Sequence, residues 1–345
     1  MTSLRVSLGR VVLFTLLVLA PLGVVEASKA ELTNRAVDTQ QPGQPQLQQQ
    51  LAGIASKLQG RAGVAVLHIE SGRKVVLNGN DRFPMASVYK FPIAIAVLDR
   101  VDRGEIRLDE RLTVRASDLR PASQLAERPD VVGSSVPVRE LLELMLQTSD
   151  NTASDLLLKR AGGPQAASEQ LQRLGVRDIR IDRPELELIA DSSGVERLPP
   201  EPELTLAKFE QLLDTVPASK REAAVRAYAQ DPRDTATPEA MLQLLVRVQQ
   251  RQVLKPESNQ LLLDIMEGCK TGAKRIRGRL PATARVAHKT GTNGGSANDA
   301  GIITLPGNRG HLAVVVFVDA ATASLKERER VIAEVAGTTY DFFAR

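Results

Sequence analysis

The stretch Phe83-Pro-Met-Ala-Ser-Val-Tyr-Lys-Phe-Pro92 places a serine and a lysine, Ser87 and Lys90, three residues apart. The apolar periodicity of Val88–Leu98, just after Pro84, predicts a helix with Ser87 in its first turn. Side chains three residues apart share a helix face, so we expect Lys90 to lie beside the Ser87 hydroxyl. The free N–H groups and positive dipole end of that helix can stabilise an oxyanion. The stretch therefore predicts a nucleophile on a helix N-terminus.

A second string, Ser149-Asp150-Asn151, supplies groups that complement the first. A serine hydroxyl needs a neighbouring base to become a nucleophile, and a buried lysine with a depressed pKa is such a base. Ser149 offers a hydroxyl that can pass a proton to a leaving nitrogen, and Asn151 offers an amide to a substrate carbonyl.

A third string, Lys289-Thr290-Gly291, completes the set. The charge of Lys289 and the hydroxyls of Thr290 and Thr292 suit a substrate carboxylate. The backbone N–H groups of Ser87 and Thr292 would form the oxyanion hole. Together the three strings predict serine acyl transfer.

Context separates these strings from two decoys of the same pattern. Ser71-Gly-Arg-Lys74 lies between two strand-like runs, so Ser71 and Gly72 are predicted to form a hairpin turn. Lys270-Thr-Gly272 matches the third string but lies in a strongly basic stretch.

The sequences around the strings, which include Gln147-Thr-Ser-Asp-Asn-Thr-Ala153 and Ala287-His-Lys-Thr-Gly-Thr292, resemble class A serine β-lactamases from about Gln46 to the C-terminus. That resemblance implies hydrolysis of β-lactams through an acyl-enzyme on the serine. It also implies a glutamate that activates the hydrolytic water, a residue that penicillin-binding proteins lack.

Glu185 is the candidate for that glutamate, because its distance from Ser149 resembles the family's spacing. Glu187, two residues further along, is the competing candidate. The resemblance also pairs Arg183 with Asp234 at the neck of an Ω-loop, where an Arg–carboxylate pair can clasp the loop.

The loop departs from the family in length and in one residue. Segment 183–234 contains 52 residues, about three times the usual number. Helical periodicity in Leu204–Val216 and Lys220–Ala229 predicts a helical insertion, which is either a packed decoration, a lid or a partner-binding surface. Ile189 replaces the asparagine that often follows the family's glutamate, so deacylation is expected to be slower or differently arranged.

A third departure concerns the substrate carboxylate. Ala300 replaces an arginine common in the family, and the resemblance offers Arg275 as the compensating residue. The competing interpretation is that Arg275 is one of several solvated basic side chains in Lys270–Arg279.

The N-terminus predicts export. Two arginines, the apolar run Val11–Val25 and the tripeptide Val25-Glu-Ala27 are typical of a cleaved signal peptide over residues 1–27. Residues 28–45 are predicted to form a flexible leader before the catalytic domain, residues 46–345. We therefore expect a periplasmic or secreted monomer without a stable membrane anchor.

Composition bears on partners and cofactors. The formal net charge is only +4, and the basic clusters lack interleaved aromatics, so nucleic acid is not an expected partner. The three histidines are scattered, so no metal site or other cofactor is expected. Cys269 is the only cysteine, so no intramolecular disulfide can form. The expected partner is a small-molecule β-lactam.

The predicted fold is α/β, of the β-lactamase/DD-peptidase type, with an antiparallel sheet flanked by helices. Residues 46–86 and 283–345 would build an α/β lobe, and residues 87–282 an all-α lobe that contains the insertion 183–234. Five strands are predicted in the sheet: Gly63–Ile69, Lys74–Leu77, Arg285–Lys289, Ala300–Leu305 and His311–Val318.

Two alternatives to a β-lactamase remain at this stage. A DD-carboxypeptidase or penicillin-binding protein would keep Ser87 and Lys90 but would not need Glu185. A slow β-lactam-binding pseudoenzyme would acylate and then stall.

Overall fold

A computed structural model describes residues 43–201, 203–319 and 322–345. The predicted signal peptide and all but the last three residues of the predicted leader lie outside the described residues. Within the described ranges, no helix is long and apolar enough to cross a membrane.

The main sheet has five antiparallel strands in the order β2-β1-β9-β8-β7, and two small two-stranded sheets, β3-β6 and β4-β5, lie elsewhere in the fold. The predicted antiparallel sheet flanked by helices is therefore confirmed. The strands are β1 (Arg61–His68), β2 (Arg73–Leu77), β3 (Phe83–Pro84), β4 (Arg111–Thr113), β5 (Ser135–Pro137), β6 (Thr235–Ala236), β7 (Val286–Thr292), β8 (Ser296–Thr304) and β9 (His311–Asp319).

Eleven α-helices occur in the part of the chain that the structure describes, and several begin with Pro in the first turn, where its missing N–H costs nothing. They are α1 (Gln44–Ala55), α2 (Lys90–Asp102), α3 (Val138–Glu143), α4 (Asn151–Arg160), α5 (Gly163–Arg173), α6 (Glu185–Ser193), α7 (Leu206–Thr215), α8 (Ala218–Gln230), α9 (Pro238–Gln249), α10 (Pro256–Glu267) and α11 (Leu325–Phe343).

Alternation along β9 shows why the sheet is buried on both faces. Val314 and Val316 pack with α1 and α11 on one face. Val315 and Phe317 face the helical part of the chain, which includes α2, α4 and α9. Successive side chains of a strand point to opposite faces, so an unbroken apolar run suits a central strand with helices on both sides.

One predicted helix boundary was wrong, and two other helix ends have local causes. Helix α1 begins at Gln44, and Pro45 is favourable in its first turn. Ser87 lies in a 3₁₀ turn, Ala86–Tyr89, and the α-helix proper begins at Lys90. Helix α3 ends in a π-helical turn, Leu144–Thr148, which stops at the left-handed residue Ser149.

The segment 183–234 contains helices and has its own small core. Helices α7 and α8 overlap the two predicted helical runs, whereas α6 was not predicted. Ala190, Phe209 and neighbouring apolar side chains form a cluster separate from those at the sheet. Ile189 packs against this cluster, which explains an apolar residue at a position where the family often has asparagine.

Candidate active site

The nucleophile candidate Ser87 lies in a tightly packed and strained turn. Ala86 just before it has φ 45°, in the left-handed region that favours glycine. Strand β7 contacts this turn directly: a β-carbon placed on Gly291 would lie 2.4 Å from the carbonyl oxygen of Met85 and 3.0 Å from the Ser87 nitrogen. Only glycine allows the third string to approach the first this closely.

The Lys90 amine is the centre of the cluster. Its Nζ lies 3.2 Å from Ser87 Oγ and 3.3 Å from Ser149 Oγ. It donates to Asn151 Oδ1 and to the carbonyl oxygen of Ser149, both at 2.6 Å, and lies 2.8 Å from Glu185 Oε1. Five oxygens thus surround a fully buried amine. Such an arrangement can move a proton between the two serines and the carboxylate with little rearrangement.

Ser149 links the second string to the third. Ser149 has φ 64° and lies at the end of the π-helical turn. Its hydroxyl contacts both Lys90 and Lys289. Lys289 Nζ donates to Ser149 Oγ at 2.9 Å and to the carbonyl oxygen of Thr290 at 2.8 Å. Burial, together with the nearby charge of Lys90, lowers the pKa of Lys289 to about 7. Lys289 therefore changes its charge near neutral pH.

Asp150 anchors this corner of the site. Its Oδ1 accepts hydrogen bonds from Ala153 N and Ser123 Oγ, both at 2.8 Å, and its Oδ2 accepts one from Leu125 N at 2.8 Å. It is the N-cap of α4, a favoured position for aspartate. The carboxylate thus fixes the start of the helix that presents Asn151.

Glu185 is the first residue of α6, and only 5% of it is exposed. The structure brings it to Lys90, whereas Glu187 is exposed on the same helix. Asp155 holds the start of this helix: its Oδ1 accepts from Glu185 N at 2.6 Å, and its Oδ2 accepts from Arg120 Nε at 2.7 Å.

The sequence motifs did not identify Asp155 or Arg120 as site residues. Asp155 could have been found from its spacing, because it is an acidic residue four positions after Asn151 and therefore lies on the same face of α4. Burial raises the pKa of the Asp155 carboxyl, and the nearby guanidinium of Arg120 opposes that rise.

Arg183 and Asp234 pair at the two ends of segment 183–234. Arg183 Nε donates to Asp234 Oδ2 at 2.6 Å, and both side chains are almost fully buried. Arg183 also pairs with Asp191 at 2.6 Å and with Asp231 at 3.1 Å. Ion pairs with Arg183 therefore connect the two ends of segment 183–234. They also connect Arg183 to Asp191, which lies inside the segment.

Arg275 lies at the end of β7 rather than in solvent. It is 4% exposed, and its Nη2 donates to Thr292 Oγ1 at 2.6 Å. Its Nη1 donates to the carbonyl oxygen of Gly291 at 2.9 Å, and its Nε contacts Glu329 at 3.2 Å. The alternative that Arg275 is one more solvated basic side chain was wrong, because these partners bury it.

Lys270-Thr-Gly272, which matches the pattern of the third string, lies beside the third string itself, Lys289-Thr-Gly291. Thr271 Oγ1 and Thr290 Oγ1 are 2.5 Å apart. Gly272 has φ 68°, and a β-carbon there would lie 2.4 Å from Thr290 Cγ2. This segment therefore positions Thr290 from outside the site.

The assembled groups suit acyl transfer to a serine. Among the described residues, no three or more His, Cys, Asp or Glu side chains form a group that could hold a metal ion. Ser87, Lys90, Ser149, Glu185 and Lys289 meet within a few hydrogen bonds of one another.

Comparison with known proteins agrees with this chemistry. Residues 46–343 match the model of the β-lactamase enzyme family. The chain is 30% identical to the extended-spectrum β-lactamase PER-1 of Pseudomonas aeruginosa, over 86% of this chain and 87% of the relative. It is 32% identical to β-lactamase L2 of Stenotrophomonas maltophilia, over 82% of each chain.

Solved structures lead to the same family. An ancestral class A β-lactamase superposes with a TM-score of 0.70 at 37% identity, over 86% of this chain and 99% of that one. The chain therefore belongs to the β-lactamase enzyme family and is a class A serine β-lactamase.

Proposed function

We propose that the chain opens β-lactam rings through an acyl-enzyme on Ser87 and releases the product with the help of Glu185. The observation that carries this proposal is the Glu185 carboxylate, buried 2.8 Å from Lys90 Nζ in the cluster that contains Ser87 and Ser149. The relatives' names, all β-lactamases, support it.

In acylation, Ser87 Oγ attacks the carbonyl carbon of the lactam after losing its proton. The acceptor is Lys90 directly or Glu185 through a water molecule, and the sequence leaves both routes open. The oxyanion would be stabilised by the N–H groups of Ser87 and Thr292. The carbon–nitrogen bond then breaks, Ser149 passes its proton to the leaving nitrogen, and the proton taken from Ser87 reaches Ser149 through Lys90, 3.3 Å from Ser149 Oγ.

In deacylation, Glu185 takes a proton from a water molecule, whose oxygen attacks the ester carbon. The bond between that carbon and Ser87 Oγ then breaks, and the proton held by Glu185 returns to Ser87 Oγ. A general base of this kind typically contributes about 10²–10⁴-fold. The helix dipole of α6 stabilises the ionised carboxylate at its first residue.

The substrate is held by groups on both sides of Ser87. Lys289, Thr290 and Thr292 would bind the substrate carboxylate, with Arg275 adding positive charge behind Thr292. Asn151 Nδ2 donates one hydrogen to the carbonyl oxygen of Pro121 at 2.9 Å, which leaves the other for a substrate carbonyl.

Residues 1–27 would direct export and residues 28–45 would link the signal to the domain, giving a periplasmic or secreted monomer. Residues 46–86 and 283–345 would form an α/β lobe and residues 87–282 a helical lobe. Segment 183–234, closed by Arg183 and Asp234, would be an enlarged Ω-loop.

The test is the intact mass of the mature protein mixed with a penicillin, followed beside the absorbance of the β-lactam ring. Ring loss in large molar excess with little lasting adduct is expected. One persistent adduct per chain would instead indicate a penicillin-binding protein or a slow binder. A Ser87→Ala variant, which has no nucleophile, controls for spontaneous opening.

A further inference from the structure

A cysteine, a histidine and an aspartate form a connected cluster behind the strand that carries Lys289. Cys269 follows the end of α10 and is partly exposed. Its thiol forms a hydrogen bond with the imidazole of His288, which is fully buried on β7. His288 Nδ1 lies 2.9 Å from Oδ1 of Asp299, a fully buried carboxylate on β8. A nucleophile, a base and a group that orients the base are thus connected, which is the arrangement that activates a thiol.

The carboxylate of Asp299 is fixed in the orientation that this role requires. Its Oδ2 accepts a hydrogen bond from Ile276 N at 3.1 Å and lies 3.1 Å from His288 Nδ1. A hydrogen on Nδ1, donated to this carboxylate, leaves Nε2 as the nitrogen that can accept a proton. The cluster therefore holds the imidazole in the tautomer of a base.

Positive charge around the sulfur favours its ionised form. Burial alone would raise the pKa of the Cys269 thiol, but the hydrogen bond with His288 and the charges of His288 and Lys289 lower it to about 7. Burial also opposes the charged form of His288, but Asp299 raises the pKa of that imidazole to about 9. The guanidinium of Arg277 faces the cluster as well, with its Nε 3.2 Å from His288 Nε2. Much of the thiol is therefore ionised at neutral pH, and the thiolate is the reactive form.

The segment that begins with Cys269 contacts two strings of the active site. Lys270 N donates to the carbonyl oxygen of Gln147 at 2.8 Å, in the π-helical turn just before the second string. Cys269 Sγ lies 3.4 Å from Thr271 Oγ1, which lies 2.5 Å from Thr290 Oγ1 in the third string. A bulky group on the sulfur would disturb these contacts, and a close-packed interior transmits such shifts.

We propose that Cys269 is a second nucleophile of this chain, that it forms a mixed disulfide with small organic disulfides, and that the adduct weakens substrate binding through Thr271 and Thr290. The thiolate attacks one sulfur of the disulfide, the sulfur–sulfur bond breaks, and the other half leaves as a thiolate. The proton of the Cys269 thiol passes to His288, and the attacking disulfide is itself the oxidant. The effect on turnover rests on the proposed β-lactam hydrolysis, whereas the reaction of the thiol does not.

The experiment treats the mature protein with dithiobis-nitrobenzoic acid, an aromatic disulfide that releases one coloured thiolate for each adduct. The folded protein should release one equivalent, because Cys269 is the only cysteine. The value of kcat/KM for penicillin should then fall roughly tenfold, since small displacements in a binding site are costly. Dithiothreitol should restore it. Cys269→Ser, which keeps a small polar side chain but cannot form the adduct, should release nothing and keep its activity in the reagent.

The pH dependence of alkylation by iodoacetamide tests the activation of the thiol. The rate should be half-maximal near pH 7 in the folded protein. In protein unfolded by urea it should be half-maximal near about pH 8.5, the ordinary value for cysteine. His288→Gln should raise the midpoint of the folded protein by roughly one pH unit or more, because the imidazole no longer stabilises the thiolate.

An equal midpoint in folded and unfolded protein, or release of the coloured thiolate only after unfolding, would overturn the inference of an activated thiol. An unchanged midpoint in folded His288→Gln would contradict the role of the imidazole. A complete adduct that leaves kcat/KM unchanged, or an equal loss of activity in Cys269→Ser, would refute the connection with the active site. If the untreated wild-type protein opens no ring, the proposed hydrolysis itself fails, and the released thiolate still decides whether Cys269 is an activated nucleophile.

Discussion

Replacing Glu185 with glutamine removes the proposed deacylation base and changes little else. The amide has nearly the shape of the carboxylate, and the hydrogen bond from Glu185 N to Asp155 involves only the backbone. Lys90 loses its charged partner at 2.8 Å but keeps two oxygen acceptors at 2.6 Å, on Asn151 and Ser149. The free energy of unfolding should therefore fall by less than the roughly 3–5 kcal/mol that an unpaired buried charge costs.

The kinetic effect should be much larger than the effect on stability. Loss of a general base slows its step by about 10²–10⁴-fold, or about 3–5 kcal/mol of barrier. If Lys90 is the base for acylation, only the second step slows. The acyl-enzyme should then accumulate on Ser87 while ring opening nearly stops after one turnover.

The assay is intact mass against time together with ring absorbance, first with the wild-type protein and then with Glu185→Gln. Glu187→Gln is the matched control, because Glu187 lies on the same helix but is exposed. It should turn over penicillin at close to the wild-type rate.

Unchanged turnover in Glu185→Gln would refute the assignment of Glu185. A variant that forms no adduct while remaining folded would show instead that Glu185 is needed for acylation, which contradicts a Lys90-only route. A large loss in Glu187→Gln would show that the wrong glutamate was chosen.

Three further predictions concern the neck, Lys289 and Gly291. Asp234→Asn should lower the free energy of unfolding, measured in urea, by about 2 kcal/mol. This loss is smaller than for a lone buried ion pair, because Asp191 stays 2.6 Å from Arg183. An equal loss in Asp191→Asn, whose side chain is 41% exposed, would contradict this prediction. Lys289, with its pKa near 7, is mostly charged at pH 6 and mostly neutral at pH 8, so KM for penicillin should rise across that range and the rise should vanish in Lys289→Arg. The unfolded chain binds the Lys289 proton up to about pH 10.4, so this residue makes stability rise with pH between about 7 and 10.4. Gly291→Ala should lower kcat/KM more than 100-fold by forcing β7 away from the Ser87 turn, with normal activity as the refuting result.

The sequence predicted the parts of the site that are local motifs. Ser87 and Lys90 share one turn, and Lys289 belongs to a three-residue string on β7, so motif and spacing were sufficient. Glu185 required the resemblance to a family, because a carboxylate in a long loop has no local signature. The contact between Glu185 and Lys90 depends on the tertiary packing of segment 183–234.

The groups that were missed act through long-range contacts. Asp155 and Arg120 are 35 residues apart, and their pairing depends on how α4 packs against the loop before it. Tertiary contacts likewise decide which basic residue of Lys270–Arg279 is buried, since only Arg275 reaches Thr292 in this way. The sequence pattern indicated that Ile189 would alter deacylation, because an asparagine often occupies that position in the family. In the structure, Ile189 packs against the separate apolar cluster of segment 183–234.

The order of strands in the main sheet also determines when the molecule can fold. Strand β1 pairs with β9 from Arg61 opposite Asp319 to His68 opposite Leu312, so the sheet's central contact joins residues 244 to 258 positions apart. Contacts of such high sequence separation form slowly, because a long loop must close before they contribute. The β1–β2 hairpin has no neighbour in this sheet until nearly the entire chain is available. During synthesis the main sheet therefore cannot close until its last strand has been made, so the completed active site is a late product of folding.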